Sequence, residues 1–116
     1  MANSKIVYLE LPAIDIPAMK QFYGPLFGWN FQDFGSDYAA FSESGIEGGL
    51  NGDASNRTNA LLAVIQTEDI EDMEKKIRHA GASITVPIFS FPGGRRFHFT
   101  DPAGNELAVM QVAASS

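Results

Sequence analysis

Glu10 is a carboxylate set in an alternating run from Lys5 to Leu11, and Tyr8 lies two residues before it. Residues two apart on a strand share a face, so the acid and the phenol project together. A half-buried carboxylate is costly unless it is paired or hydrogen-bonded. Glu10 is therefore expected either to face a wet cavity and meet a ligand, or to meet a partner such as Arg95 or Arg96. Tyr8 offers an apolar ring with a polar tip, which suits the wall of a small-molecule pocket as well as ordinary packing. His98 falls between Phe97 and Phe99 and shares strand parity with Arg96 and Thr100. Imidazole titrates near neutrality, so with Glu10 it is a candidate for acid–base catalysis, the alternative being a structural histidine. No carboxylate is singled out by sequence as its orienting partner. His79, after Arg78 near a helix end, reads as a dipole-complementing surface residue.

The elements that position these groups are legible from periodicity. Val7, Leu9 and Leu11 form one face of a first strand, and Ile6, Tyr8 and Glu10 the other. Asp15 caps a helix that takes Pro17 in its first turn, buries Ile16, Met19, Phe22 and Tyr23, and ends at Gly24-Pro25. Leu26, Phe27 and Trp29 are expected to pack around Gly28. Strands follow over 30–34, 38–42 and 47–51. Residues 52–58 are polar and read as a linker. The second half repeats the order: a strand over 59–66, a helix over 68–80 closed by Gly81, and strands over 83–89, 95–100 and 106–112. Asp69-Ile70 stands where Asp15-Ile16 stood, with Met73 and Ile77 behind it. The chain thus looks like a duplicated strand–helix–strands unit, module one at about 4–51 and module two at about 59–113. Function is expected in the groove between the copies. Phe89, Phe91, Phe97 and Phe99 flank Pro92-Gly93-Gly94 as an aromatic hairpin, more core than ligand cover. Gly48-Gly49 marks a close backbone approach.

At 116 residues, 45% hydrophobic and 19% charged, the chain is a single ordinary globular domain. It has no cysteine, so disulfides, thiolate metal sites and cysteine nucleophiles are excluded, and a reducing cytoplasm is the expected compartment. No secretory signal and no apolar run near the ~20 residues of a membrane span are visible. A net charge of -6 argues against nucleic acid and leaves neutral or cationic small molecules as partners. There is no serine nucleophile elbow, His-Glu-x-x-His or dinucleotide fingerprint, and no Lys-Ser/Thr follows Gly48-Gly49 to make a phosphate loop.

Asp15 followed by Phe22-Tyr23-Gly24-Pro25-Leu26-Phe27-Gly28-Trp29, then Gly48-Gly49-Leu50, then Asp101-Pro102-Ala103-Gly104-Asn105-Glu106, resembles the glyoxalase/bleomycin resistance/extradiol dioxygenase (vicinal oxygen chelate) superfamily over essentially the whole chain. The resemblance implies an α+β fold of two paired βαβββ modules whose curved mixed sheets form a cup, with helices outside. In metal-dependent members a divalent ion sits in that cup on His, Glu or Gln from the first and last strands of each module. Here the corresponding positions fall near Tyr8, at Gly48, Gly49 or Leu50, near Leu62 and at Ala108. Leucine and alanine cannot ligate and a neutral phenol is a poor donor. The neighbours Leu61, Ala63, Leu107 and Val109 do not rescue the site. Glu10 and Glu106 lie two residues from expected ligand positions, which leaves a two-carboxylate site as a minor alternative.

The resemblance therefore implies a glyoxalase-like protein that binds a small, cationic or aromatic molecule in the cup without a catalytic metal or other cofactor. The expected lining is Tyr8, Glu10, Leu62, Val64, His98, Ala108 and Met110, chosen by strand parity. A sequestering protein like the drug-resistance members competes with a cofactor-free enzyme. The alternative is a metal-dependent lyase, isomerase or dioxygenase of the glyoxalase type. A homodimer is expected, with modules paired within or between chains.

Overall fold

The computed structural model describes residues 4–113 and contains two βαβββ modules, an α+β architecture. The described residues divide into two compact units, Val7–Leu62 and residues 4–6 with 63–113. No helix among the described residues is long and apolar enough to cross a membrane.

Module one contains β1 (Lys5–Pro12), α1 (Ile16–Phe27), β2 (Asn30–Asp33), β3 (Tyr38–Ser42) and β4 (Gly48–Asn51), with strand order β2-β3-β4-β1. β1 runs parallel to β4 with Glu10 opposite Gly49, and β3 is antiparallel to β4 with Tyr38 opposite Asn51. Alternation sends Leu11, Phe31, Ala39, Phe41 and Leu50 to the helix side, where they pack with Ile16 and Met19. Tyr8, Glu10, Tyr38, Gly49 and Asn51 are left for the opposite face. Full burial of a side chain such as Leu50 stabilises by roughly 2 kcal/mol.

Asp15 does cap α1, its Oδ1 accepting from the Ala18 N–H at 3.0 Å. The helix nevertheless runs through Gly24-Pro25 and stops at Gly28, whose φ of 77° turns the chain while its N–H closes on the Gly24 carbonyl at 2.8 Å. Proline removes one hydrogen bond. Pro25 and its would-be partner Gln21 lie on the exposed side, where solvent can satisfy an orphaned carbonyl. Phe22 and Leu26 are not buried: they are 54% and 62% exposed. Half-buried Trp29 instead packs against the core, stacking between Tyr23 and Phe41 with both centroid distances at 4.8 Å.

Module two contains β5 (Leu62–Gln66), α2 (Ile70–His79), β6 (Ile84–Phe91), β7 (Gly94–Thr100) and β8 (Glu106–Val112), ordered β5-β8-β7-β6. The strand expected from residue 59 starts only at Leu62, because the Thr58 hydroxyl donates to the Ala60 carbonyl at 2.6 Å and bends the chain there. Asp69 caps α2 through the Asp72 N–H, and the helix closes at Ala80 with Gly81 just beyond it. Ile70, Phe97 and Val109 form the core under α2, with Met73, Ile77, Ile88 and Phe99 against it. The aromatic hairpin therefore divides. Phe97 and Phe99 face the helix, and Phe89 and Phe91 accompany Arg96 on the other side.

Candidate functional site

Each module carries a polar constellation on the sheet face away from its helix. In module one Glu10 is 4% exposed. Its Oε1 accepts from Asn51 Nδ2 at 3.1 Å and its Oε2 from the Tyr38 hydroxyl at 3.2 Å. The Tyr38 and Tyr8 oxygens lie 2.5 Å apart. A phenol has one hydrogen, so Tyr38 donating to Glu10 accepts from Tyr8, giving the directed chain Tyr8 to Tyr38 to Glu10. Asn51 is itself fixed: its Oδ1 accepts from the Asp53 N–H at 2.9 Å and its Nδ2 also reaches Asn56 Oδ1 at 3.1 Å. Burial, then the Glu10 charge and the contacts with Tyr8, push the Tyr38 phenol far above its usual range. Tyr38 thus remains a proton donor at any physiological pH.

The register explains the assembly. Tyr38 lies over Gly49, and a Cβ there would collide with the phenol ring. The missing side chain lets the ring lie flat across β4 and reach Glu10. Tyr38, Asn51 and Asn56 escaped the sequence reading, although period two from Glu10 across Gly49 places Tyr38 and Asn51 on its face.

In module two, Val64, Ala108, His98 and Val86 stand opposite one another on successive strands, and Met110 stands opposite Arg96. Leu62, Val64, His98 and Ala108 are buried and Met110 is half-buried. His98 is 3% exposed and its Nδ1 lies 2.9 Å from Glu106 Oε2, which also accepts from the Thr85 hydroxyl at 3.3 Å. Glu106 supplies the orienting carboxylate that no sequence motif marks, because the β7–β8 hairpin sets His98 diagonally across from it. A carboxylate on Nδ1 holds the hydrogen there and makes Nε2 the basic nitrogen, the arrangement of a general base. The Phe89 ring centroid lies 6.1 Å from the imidazole, and the Arg96 guanidinium covers Phe89 and Phe91 at 5.4 and 5.7 Å. Arg95, a suggested partner of Glu10, pairs instead with Glu71 through two contacts of 2.5 and 3.1 Å. Strand alternation turns it to the helix side, where α2 begins.

Residues 5–109 match the family model described as the Glyoxalase/Bleomycin resistance protein/Dioxygenase superfamily. The chain belongs to this superfamily. No curated protein sequence matches it. Solved structures agree in fold. A superfamily member from Vibrio splendidus 12B01 is 18% identical with a TM-score of 0.70, over 96% of this chain and 100% of that one. A methylmalonyl-CoA epimerase from Streptomyces coelicolor, in complex with 2-nitronate-propionyl-CoA, is 16% identical with a TM-score of 0.68 over 99% of each chain. The Mn(II)-bound glyoxalase from Novosphingobium aromaticivorans is 18% identical with a TM-score of 0.66, and the match covers 94% of this chain and 40% of that one.

Among the described residues, the positions that the resemblance assigns to the superfamily's metal ligands do not offer a fitting set of donors. Leu62 and Ala108 are buried hydrocarbons, and Gly48 to Leu50 supply backbone groups in a strand paired on both sides. Glu10 is engaged by Asn51 and Tyr38, and Glu106 by His98 and Thr85. Among the described residues no three of His, Cys, Asp and Glu come together in a group that could hold an ion.

Proposed function

We propose that this glyoxalase-superfamily protein binds a small organic molecule of cationic or aromatic character, without a catalytic metal. The observation that carries this reading is the buried Glu10 carboxylate, held by Tyr38 and Asn51 beside Tyr8 on a helix-free sheet face. Keeping an acid 4% exposed is costly, and an apolar residue there would stabilise the sheet more simply. A cation or hydrogen-bond donor on the ligand would be oriented by the same carboxylate. The tyrosine rings offer apolar area and Glu10 and Tyr8 orient the guest. In module two the lining is Leu62, Val64, His98, Ala108 and Met110, with Glu106 setting the imidazole.

A thermal-shift panel of cationic and aromatic compounds tests the reading, since a ligand that prefers the native state raises Tm. At a ligand concentration of about 100 Kd the stabilisation is about 2.7 kcal/mol. Glu10→Gln is expected to weaken a cationic hit by tenfold or more while the protein still folds. A broad panel without a single shift, or a hit indifferent to Glu10→Gln, makes the network a purely structural one.

A further inference from the structure

Hydrogen bonds in the Glu10 constellation run in one direction only. With the Tyr38 hydrogen on Glu10 Oε2 at 3.2 Å, the hydrogen between the two phenol oxygens, 2.5 Å apart, comes from Tyr8. Tyr38 keeps its own hydrogen at physiological pH. The Asn51 amide is oriented by chemistry. A backbone N–H can only donate, so the atom that Asp53 N meets at 2.9 Å is the carbonyl Oδ1. The NH2 group then points to Glu10 Oε1 and Asn56 Oδ1, 3.1 Å from each, with one hydrogen for each. The polar hydrogens of Tyr8, Tyr38 and Asn51 are thus committed inside the constellation. Tyr8 and Glu10 offer only lone pairs beyond it, and whatever else meets them must bring a hydrogen. The tyrosines also converge by their tips. A Cβ at Gly49 would collide with the Tyr38 hydroxyl, Cζ and Cε1, so one face of that ring lies against β4.

We infer that this face selects a ligand by its hydrogen-bond donors: a primary or secondary ammonium group seated against Tyr8 and Glu10, in preference to a quaternary ammonium, a carboxylate or any group that can only accept. The inference narrows the proposed binding of a small cationic or aromatic molecule and rests on it. Charge alone does not make the choice. A quaternary ammonium satisfies the Coulomb attraction of Glu10 but carries no N–H, so the lone pairs it strips of water are left unmet. Recognition of such a group relies on aromatic faces arranged around it, and the Tyr38 ring gives one of its faces to the strand. A carboxylate has no hydrogen to give and meets the Glu10 charge with its own. A protonated amine supplies charge and directed N–H groups together, the stronger class of hydrogen bond. Tyr8 and Tyr38 are half-buried whereas Glu10 and Asn51 are buried, so a ligand meets the phenols first. With the Tyr38 hydroxyl turned to Glu10, Tyr8 is the specificity-determining residue.

Titration calorimetry of the whole chain with benzylammonium, benzyldimethylammonium, benzyltrimethylammonium and benzoate holds the ring constant while N–H groups are removed stepwise and the charge is then reversed. Affinity is expected to fall in that order, with benzylammonium at least about tenfold tighter than benzyltrimethylammonium. Tyr8→Phe removes the outermost acceptor and keeps the Tyr38 to Glu10 contact and the charge. It should reduce the benzylammonium to benzyltrimethylammonium preference by about threefold or more, with an unchanged far-ultraviolet spectrum. A loosened site would weaken the two cations alike and leave their ratio where it was, so the ratio separates recognition from a structural role. Equal affinity for the two cations, a ratio indifferent to Tyr8→Phe, or benzoate binding above benzylammonium would each overturn the donor requirement while binding itself stands. If none of these probes binds, the donor requirement falls together with the small-molecule reading beneath it.

Discussion

Tyr38 shows how much a single residue can carry here. Its hydroxyl is the centre of the Tyr8 to Glu10 chain, and its ring is the reason residue 49 is glycine. Tyr38→Phe removes the donor to Glu10 and the acceptor of Tyr8, and should cost about 1–3 kcal/mol at neutral pH in urea unfolding. Its pH signature has a definite sign. The folded phenol is held far above its ordinary value of 10.0, so the unfolded chain loses this proton first as pH rises. The stability it contributes is complete below that ordinary value and declines steadily above it, because the folded state cannot follow. Wild-type stability should therefore fall more steeply than that of Tyr38→Phe between about pH 9 and pH 11. Parallel slopes would show that Tyr38 is not the group responsible.

At the scale of elements, the β3–β4 pair is built around an absence. A methyl group at residue 49 would stand inside the Tyr38 ring, so Gly49→Ala must displace the phenol or the strand. A loss of about 1–3 kcal/mol is expected, typical of overpacking and equivalent to several degrees in Tm. Adding Tyr38→Ala should return part of it, since the clash would then have no second partner. A Gly49→Ala protein within about 0.5 kcal/mol of wild type would mean that the strand yields at little cost. Helix α1 teaches a related point. Gly24-Pro25 reads as a stop, but a proline ends a helix only when its lost hydrogen bond cannot be made up. On a solvent-facing side it can, and Gly28 sets the true end.

Across the molecule, the two βαβββ modules share an element order and differ in the side chains on their helix-free faces. The chain has only two histidines and no cysteine. The positions that the resemblance assigns to metal ligands in module two hold Leu62 and Ala108, and only a donor-rich set retains an ion. Protein purified without chelator should carry roughly less than a tenth of an equivalent of any divalent transition metal, and chelation should leave Tm unchanged, because a structural ion would otherwise contribute to folding. One equivalent by elemental analysis, with a Tm that drops on chelation, would restore the metal-dependent alternative.

Period two alone distributed Tyr8 and Glu10 to one face of β1, and Asp15 and Asp69 announced both helices. These are local matters, decided by neighbours a few residues apart, so the order of elements and the superfamily could be read without coordinates. Tyr38 and Asn51 joining Glu10, Glu106 meeting His98, Arg95 turning to Glu71, and Trp29 stacking between Tyr23 and Phe41 were decided only in three dimensions. Each depends on strand register or on how side chains from different elements pack together. Such pairings join residues as many as 41 positions apart, and no local pattern encodes which of several possible partners arrives.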